Sequence, residues 1–230
     1  MNQDNQSKSG FIDPFQSKII ACATVIEEII PIMPDGLSCD VLDFGLHIRP
    51  GELLEKLQKI VDSLSSNIKT VILGYGLCSQ AVVGLMAKHC TLVIPKVDDC
   101  ISIFLGSRTK YRDENRNVPG TYYLTKGWLK TGGTPFHEYD NIVKRFGVEK
   151  ARRIMNSMLQ NYTRLAFINT GTIGLEEYRS QAEDIAKRFN LRYEEINGSD
   201  VIVRKMVYGP WDEDFLVVEP GHTISFLDFR

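Results

Sequence analysis

The stretch TVILGYGLCSQAVVGLMAKHCTLVIPKVDDCISIFLGSR, Thr70 to Arg108, decides the fold. It opens on a short apolar run, Thr70 to Gly74, which is strand-sized and is broken by Gly74-Tyr75-Gly76. A second such run covers Thr91 to Val97, and Asp98-Asp99 behind it makes an acidic start for a helix over Ile101 to Tyr111. Between the two, Ala81, Val82, Val83, Leu85 and Met86 predict a helix starting near Ser79. Strand, helix, strand, helix in units of about 20–25 residues is the pattern of a parallel sheet covered by helices.

The same alternation extends in both directions. Upstream, Lys18 to Thr24 (KIIACAT) reads as a buried strand and Val25 to Met33 as a helix, with a turn at Pro34-Asp35-Gly36. Asp40 to Leu46 reads as another strand. Pro50 opens a helix whose Leu53, Leu54, Leu57, Ile60, Val61 and Leu64 recur at helical spacing. Downstream, Gly120 to Leu129 is aromatic and extended, and Thr134 to Tyr162 is a long helical region with a break at Gly147. Arg164 to Asn169 starts a second β-α series, continued by a helix over Leu175 to Phe189 and strands at Arg192 to Ile196 and Phe215 to Val218. The expected fold is α/β, an open and mostly parallel sheet with helices on both faces, either in one piece or as two Rossmann-like lobes around a cleft. The domain plan is a disordered segment 1–15, an N-terminal lobe 16–130, and a long helix with a second lobe over 131–230.

Composition removes several function classes. With 230 residues, 43% hydrophobic and 24% charged side chains, the chain can bury a core unaided. A net charge of -2 offers no field for nucleic acid or an anionic membrane surface. Met1 to Gly10 is too polar for a signal peptide, and no apolar run reaches membrane-spanning length. The expected location is the cytoplasm, where the odd count of 5 cysteines argues for reduced thiols over a disulfide framework.

Those thiols carry the functional argument. In an open parallel sheet, ligands bind beyond the carboxyl ends of the strands. Cys22 ends the first predicted strand, while His47, Cys78 and Cys100 lie just past the second, third and fourth. Cys39 and Cys90 sit in apolar surroundings and read as small core side chains. Thiolates select zinc, copper(I) or iron–sulfur centres, and three cysteines with a histidine are an accepted zinc set. Cys22, Cys78 and Cys100 are therefore the expected ligands, with His47 as a fourth, of zinc or an iron–sulfur cluster. Cys78 and Cys100 both precede predicted helices, whose amide ends would favour thiolate. That feature suits a metal-free cysteine nucleophile equally well. Arg49, Arg108 and Tyr111 are expected to bind a small anionic substrate, with Thr170 in the turn Thr170-Gly171-Thr172 offering a second anion contact. No Rossmann dinucleotide fingerprint, Walker motif, HExxH or GxSxG is present.

The segments IIACAT (Ile19 to Thr24), LHIRP (Leu46 to Pro50), LGYGLCS (Leu73 to Ser79), VDDCISIFLGSR (Val97 to Arg108), GTYYLTKGW (Gly120 to Trp128) and FINTG (Phe167 to Gly171) together resemble an uncharacterised bacterial and archaeal family, a domain of unknown function. It is often met beside corrinoid-dependent methyltransferase systems. The resemblance implies that Cys22, His47, Arg49, Cys78, Cys100 and Arg108 belong to the family's distinctive segments. An acid commonly follows the first cysteine in that family, where this chain has Ala23. By association it also implies one-carbon metabolism, with cobalamin as a cofactor and a corrinoid protein or methyltransferase as a partner. A non-catalytic binding module for such a partner is the remaining alternative.

Overall fold

The computed structural model describes residues 12–78 and 80–230. Asp13 accepts the Phe15 amide and caps a 3-10 turn over Pro14–Gln16, which feeds the first strand. Of the segment expected to be disordered, residues 12–15 are thus ordered, and residues 1–11 lie outside the described residues.

In chain order the elements are β1 (Ser17–Cys22), α1 (Ala23–Ile29), β2 (Ser38–Leu42), α2 (Pro50–Ser63), β3 (Thr70–Gly74), β4 (Thr91–Pro95), α3 (Cys100–Leu105) and α4 (Arg108–Asn117). They continue with β5 (Thr121–Leu124), α5 (Lys126–Thr131), α6 (Pro135–Phe146), α7 (Val148–Leu159), β6 (Arg164–Asn169), α8 (Glu176–Arg188), β7 (Arg192–Asn197), α9 (Val201–Tyr208) and β8 (Phe215–Val218). The strands form two sheets, ordered β2-β1-β3-β4-β8 and β5-β6-β7. All pairings are parallel except β4 with β8.

The expected α/β class holds, with the strands in two sheets. β5 belongs to the second sheet, and β8 returns from the far end of the chain to close the edge of the first. One hydrophobic cluster runs through both, joining Ile19, Ile72 and Val93 of the first sheet to Leu165 and Phe167 of the second. Helix α1, after β1, packs on α5, after β5, and α9 packs on α1, α3 and β4. At the base of the second sheet, Arg164 is 1% exposed, and its guanidinium donates to Glu114 at 2.8 Å, Glu194 at 3.2 Å and Thr121 at 2.8 Å.

Three local expectations fail for physical reasons. The helix expected from Ser79 is absent over the described residues 80–86, since Cys78 (φ +45°), Gln80 (+69°) and Gly84 (+96°) hold left-handed backbone that no α-helix tolerates. Ala81, Val82 and Leu85 are still buried, because this loop is tied to the chain's last segment through Gly84 N–H to Ile224 O and Ile224 N–H to Leu85 O, each 2.9 Å. Its apolar spacing reports burial, not helix. The expected helix Ile101 to Tyr111 is two helices, parted at Gly106 (φ +73°), where a Cβ would stand 2.5 Å from Ser199. The expected strand Asp40 to Leu46 stops at Leu42, and a 3-10 helix over Phe44–Ile48 follows, capped by Asp43. The break at Gly147 between α6 and α7 falls as expected.

Candidate functional site

From β1 the chain moves to one side to form β2, then crosses back to β3 and β4 on the other. The crevice beyond the ends of β1 and β3 is thus the topological switch point of the sheet, where ligands of such folds bind. A cavity of about 290 Å³ opens there, and its wall includes Cys22, His47, Tyr75, Cys78, Asp99, Cys100 and Trp128.

Each cysteine arrives by a different local device. Cys22 is the last residue of β1 and the cap position of α1, and its sulfur accepts a hydrogen bond from Thr24 Oγ1 at 3.3 Å. Cys78 is brought in because residues 77–78 run beside the exit of β4: Leu77 N–H donates to Val97 O at 2.8 Å, and Cys78 N–H to Asp98 O at 3.0 Å. Cys78 itself holds a left-handed conformation costly for a side chain bearing Cβ, and such residues cluster at functional sites. Cys100 opens α3, whose cap Asp99 accepts the Ile101 amide at 2.9 Å. Gly76 makes the approach of the two loops possible, since a Cβ there would lie 2.7 Å from the Val97 carbonyl oxygen. Gly76→Ala is expected to cost about 1–3 kcal/mol and to push Cys78 away from Cys100. Chemical denaturation together with metal titration checks it; unchanged stability would refute the close approach.

His47 also lines the cavity, on the 3-10 helix after β2. Its Nδ1 donates to the Phe44 carbonyl at 2.5 Å, which fixes the proton on Nδ1 and leaves the Nε2 lone pair for a ligand. Its ring lies 4.3 Å from the Phe44 ring, centroid to centroid.

The electrostatics correct one expectation. Helix ends were to favour thiolate at Cys78 and Cys100, yet no helix follows Cys78 among the described residues, and α3 is a single short turn and a half. Burial dominates instead. It raises the Cys22 thiol, pushes Cys78 up to about 12, and raises Cys100 well above the ordinary thiol value, with charge on the neighbouring cysteines and Asp99 adding to the rise at Cys100. Asp99 is likewise raised by burial, although it accepts a hydrogen bond from the Tyr111 hydroxyl at 2.9 Å.

The residues expected to bind an anion lie elsewhere or are already engaged. Arg49 is exposed and pairs with Glu52 at 3.0 Å. Arg108 holds Asp98 with two nitrogens, at 2.7 and 3.3 Å, and the Phe229 carbonyl with the third, at 2.8 Å. Thr170 contacts Thr172 at 3.3 Å, beyond β6 of the second sheet, and does not line the cavity. Tyr111 does not line the cysteine cavity itself, although its hydroxyl donates to Asp99 on that wall. Cys39 lies within β2, and Cys90 lines a separate small cavity beside Val61 and His89. The wall residues Tyr75 and Phe44 escaped the sequence argument, which weighed thiols and charges; the one signal for Tyr75 was its place directly after β3.

A second hollow of about 240 Å³ adjoins the first and shares Phe44, His47, Ile101 and Trp128 with it. Tyr111, Tyr122, Tyr123 and Tyr162 give it an aromatic wall. Among the described residues, no lysine or arginine lines either hollow. Nor, among the described residues, do three His, Cys, Asp or Glu side chains already stand in metal-holding geometry.

Fold and cavity together define an α/β protein with a three-cysteine pocket at the switch point of a parallel sheet. The chain belongs to the family described as "Protein of unknown function (DUF1638)", whose profile matches residues 41–207. His47, Cys78 and Cys100 fall inside that stretch, and Cys22 precedes it. No curated protein and no solved structure matches the chain. Among the described residues, no helix is long and apolar enough to cross a membrane.

Proposed function

We propose that the cavity is a thiolate metal centre, with Cys22, Cys78 and Cys100 as ligands of zinc or an iron–sulfur cluster and His47 Nε2 on the same wall. The observation that carries this reading is the convergence of three cysteines, from the ends of β1, β3 and β4, on one cavity. One buried and two half-buried cysteines that oppose ionisation at Cys100 are a poor environment for anions and a good one for a cation that neutralises them together. The elevated thiols weigh against a metal-free nucleophile, which needs thiolate near neutral pH.

With three protein ligands the metal would keep an open position toward the aromatic hollow. The organic part of a substrate would lie there, presenting a soft or nitrogen donor to the metal. Asp98 and Asp99 on the cavity wall and the tyrosines of the adjoining hollow suit a neutral or cationic substrate better than the anion expected from Arg49 and Arg108. A centre of this kind suits a reducing compartment such as the cytoplasm.

Metal analysis of chain purified without oxygen tests the reading. About one zinc, or a cluster's iron and sulfide, is expected per chain, falling at least tenfold in a Cys78→Ser, Cys100→Ser double variant and unchanged in Cys90→Ser. Equal metal content in all three would end the proposal.

A further inference from the structure

The hollow beside the cysteine cavity is walled largely by the rings of Phe44, Tyr111, Tyr122, Tyr123, Trp128 and Tyr162. They stand in edge-to-face pairs, Tyr122 with Tyr162 at 5.2 Å between centroids, Tyr111 with Tyr123 at 5.9 Å, and Phe44 with Trp128 at 6.3 Å. Much of the polar chemistry on this wall is already committed to the protein. The Tyr111 hydroxyl donates to Asp99 at 2.9 Å and the Tyr123 hydroxyl to Asn115 at 3.1 Å. Thr121 Oγ1 donates to the Val118 carbonyl at 2.7 Å and accepts from Arg164, whose charge Glu114 and Glu194 balance. What the hollow offers a guest is therefore ring surface with little hydrogen bonding, and the Asp99 carboxylate at the Tyr111 hydroxyl adds negative charge. A ring face is the negative part of the aromatic quadrupole, and several such faces around one space attract a cation.

We propose that this hollow binds the headgroup of an organic cation, and that the headgroup is a quaternary ammonium. An ordinary ammonium carries N–H donors that would lose their water here without gaining acceptors. A quaternary nitrogen has no such donors and is recognised by ring faces alone. The rest of the molecule would extend past Phe44, His47, Ile101 and Trp128, which both hollows share, toward the cysteines. The inference rests on reading the hollow as the seat of the ligand's organic part and narrows its class. It holds whether or not the cysteines take up a metal.

Titration of the full chain, kept metal-free by a chelator, with choline and with its uncharged isostere tests it. In the isostere a tert-butyl group replaces the trimethylammonium, so the two probes share a shape and differ in charge. Saturation-transfer NMR on the methyl protons reads the binding of both. Choline is expected to bind at least about fivefold more tightly, the ratio that a desolvated contact between cation and ring supports. Tyr162 is 36% exposed and can be changed with little risk to the fold. Tyr162→Leu should weaken choline about threefold or more, while Tyr162→Phe stays within about twofold of wild type, a contrast that lost packing alone would not give. Equal binding of the two probes by wild type would overturn the proposal, as would no binding of choline, or equal loss in Tyr162→Leu and Tyr162→Phe. The metal content of the cysteine variants is untouched by any of these results, so the thiolate centre and the cation site stand or fall separately.

Discussion

If zinc occupies the proposed centre, its apparent affinity is expected to rise by about three decades per pH unit between pH 7 and 8. Ligation requires thiolate, so each cysteine that binds releases its proton. Burial raises all three thiols, with Cys78 pushed up to about 12, so each gives up its proton less readily than a free thiol. Three protons therefore leave per ion, and the association constant scales with the third power of the proton dilution. Competition against a chromophoric chelator at several pH values measures the slope. A slope of one decade or less would mean that fewer than three cysteines bind.

The metal-free chain should show the opposite trend. Thiols whose folded values stand above the unfolded value of about 8.5 contribute stability that is complete below that value. It is lost as pH rises toward the folded values, because only the unfolded chain can then ionise freely. Melting temperature should thus fall above about pH 9 without metal, and hold with metal bound.

The largest effect on stability is expected at Arg164. Its side chain is enclosed at the base of β6, bonded to Thr121 of β5, Glu194 of β7 and Glu114 of α4, and so pins all three strands of the second sheet to the helix before it. Arg164→Ala would empty the space its side chain fills and take one partner from Glu114 and from Glu194, which keeps Arg192 at 3.2 Å. Breaking a fully buried pair costs about 3–5 kcal/mol, and because both carboxylates reach solvent the loss here should stand near the low end, at about 3 kcal/mol. Arg164→Met should cost less, since it refills the space without restoring the charge. Denaturant unfolding of both variants checks the order, and a loss below about 1 kcal/mol in Arg164→Ala would show the network to be superficial.

Much of this architecture is legible in the chain. Thr70–Gly74, Arg164–Asn169 and Phe215–Val218 read as strands because short apolar runs between turn residues are too brief for helices. The strand-end rule then delivered Cys22, Cys78 and Cys100 to one cavity from their places in the pattern. What failed was information held by distant partners. Apolar spacing at 81–86 marks burial under residues 223–224, and nothing local distinguishes that from a helix face. The antiparallel return of β8 depends on β4 having an open edge. Arg108 was assigned by its charge and helical position, but its partners, Asp98 and the Phe229 carbonyl, lie 10 and 121 residues away. Proximity to a helix start said little about the thiols, because burial outweighs a helix as short as α3.

That grip of Arg108 has a mechanical consequence. One guanidinium fastens the final turn of the chain, through Phe229, to Asp98, two residues ahead of Cys100. Together with the Gly84–Ile224 and Ile224–Leu85 bonds, it ties residues 223–229 to both loops that carry Cys78 and Cys100. A displacement of residues 226–229 would be passed to the rim of the pocket without any contact with its wall.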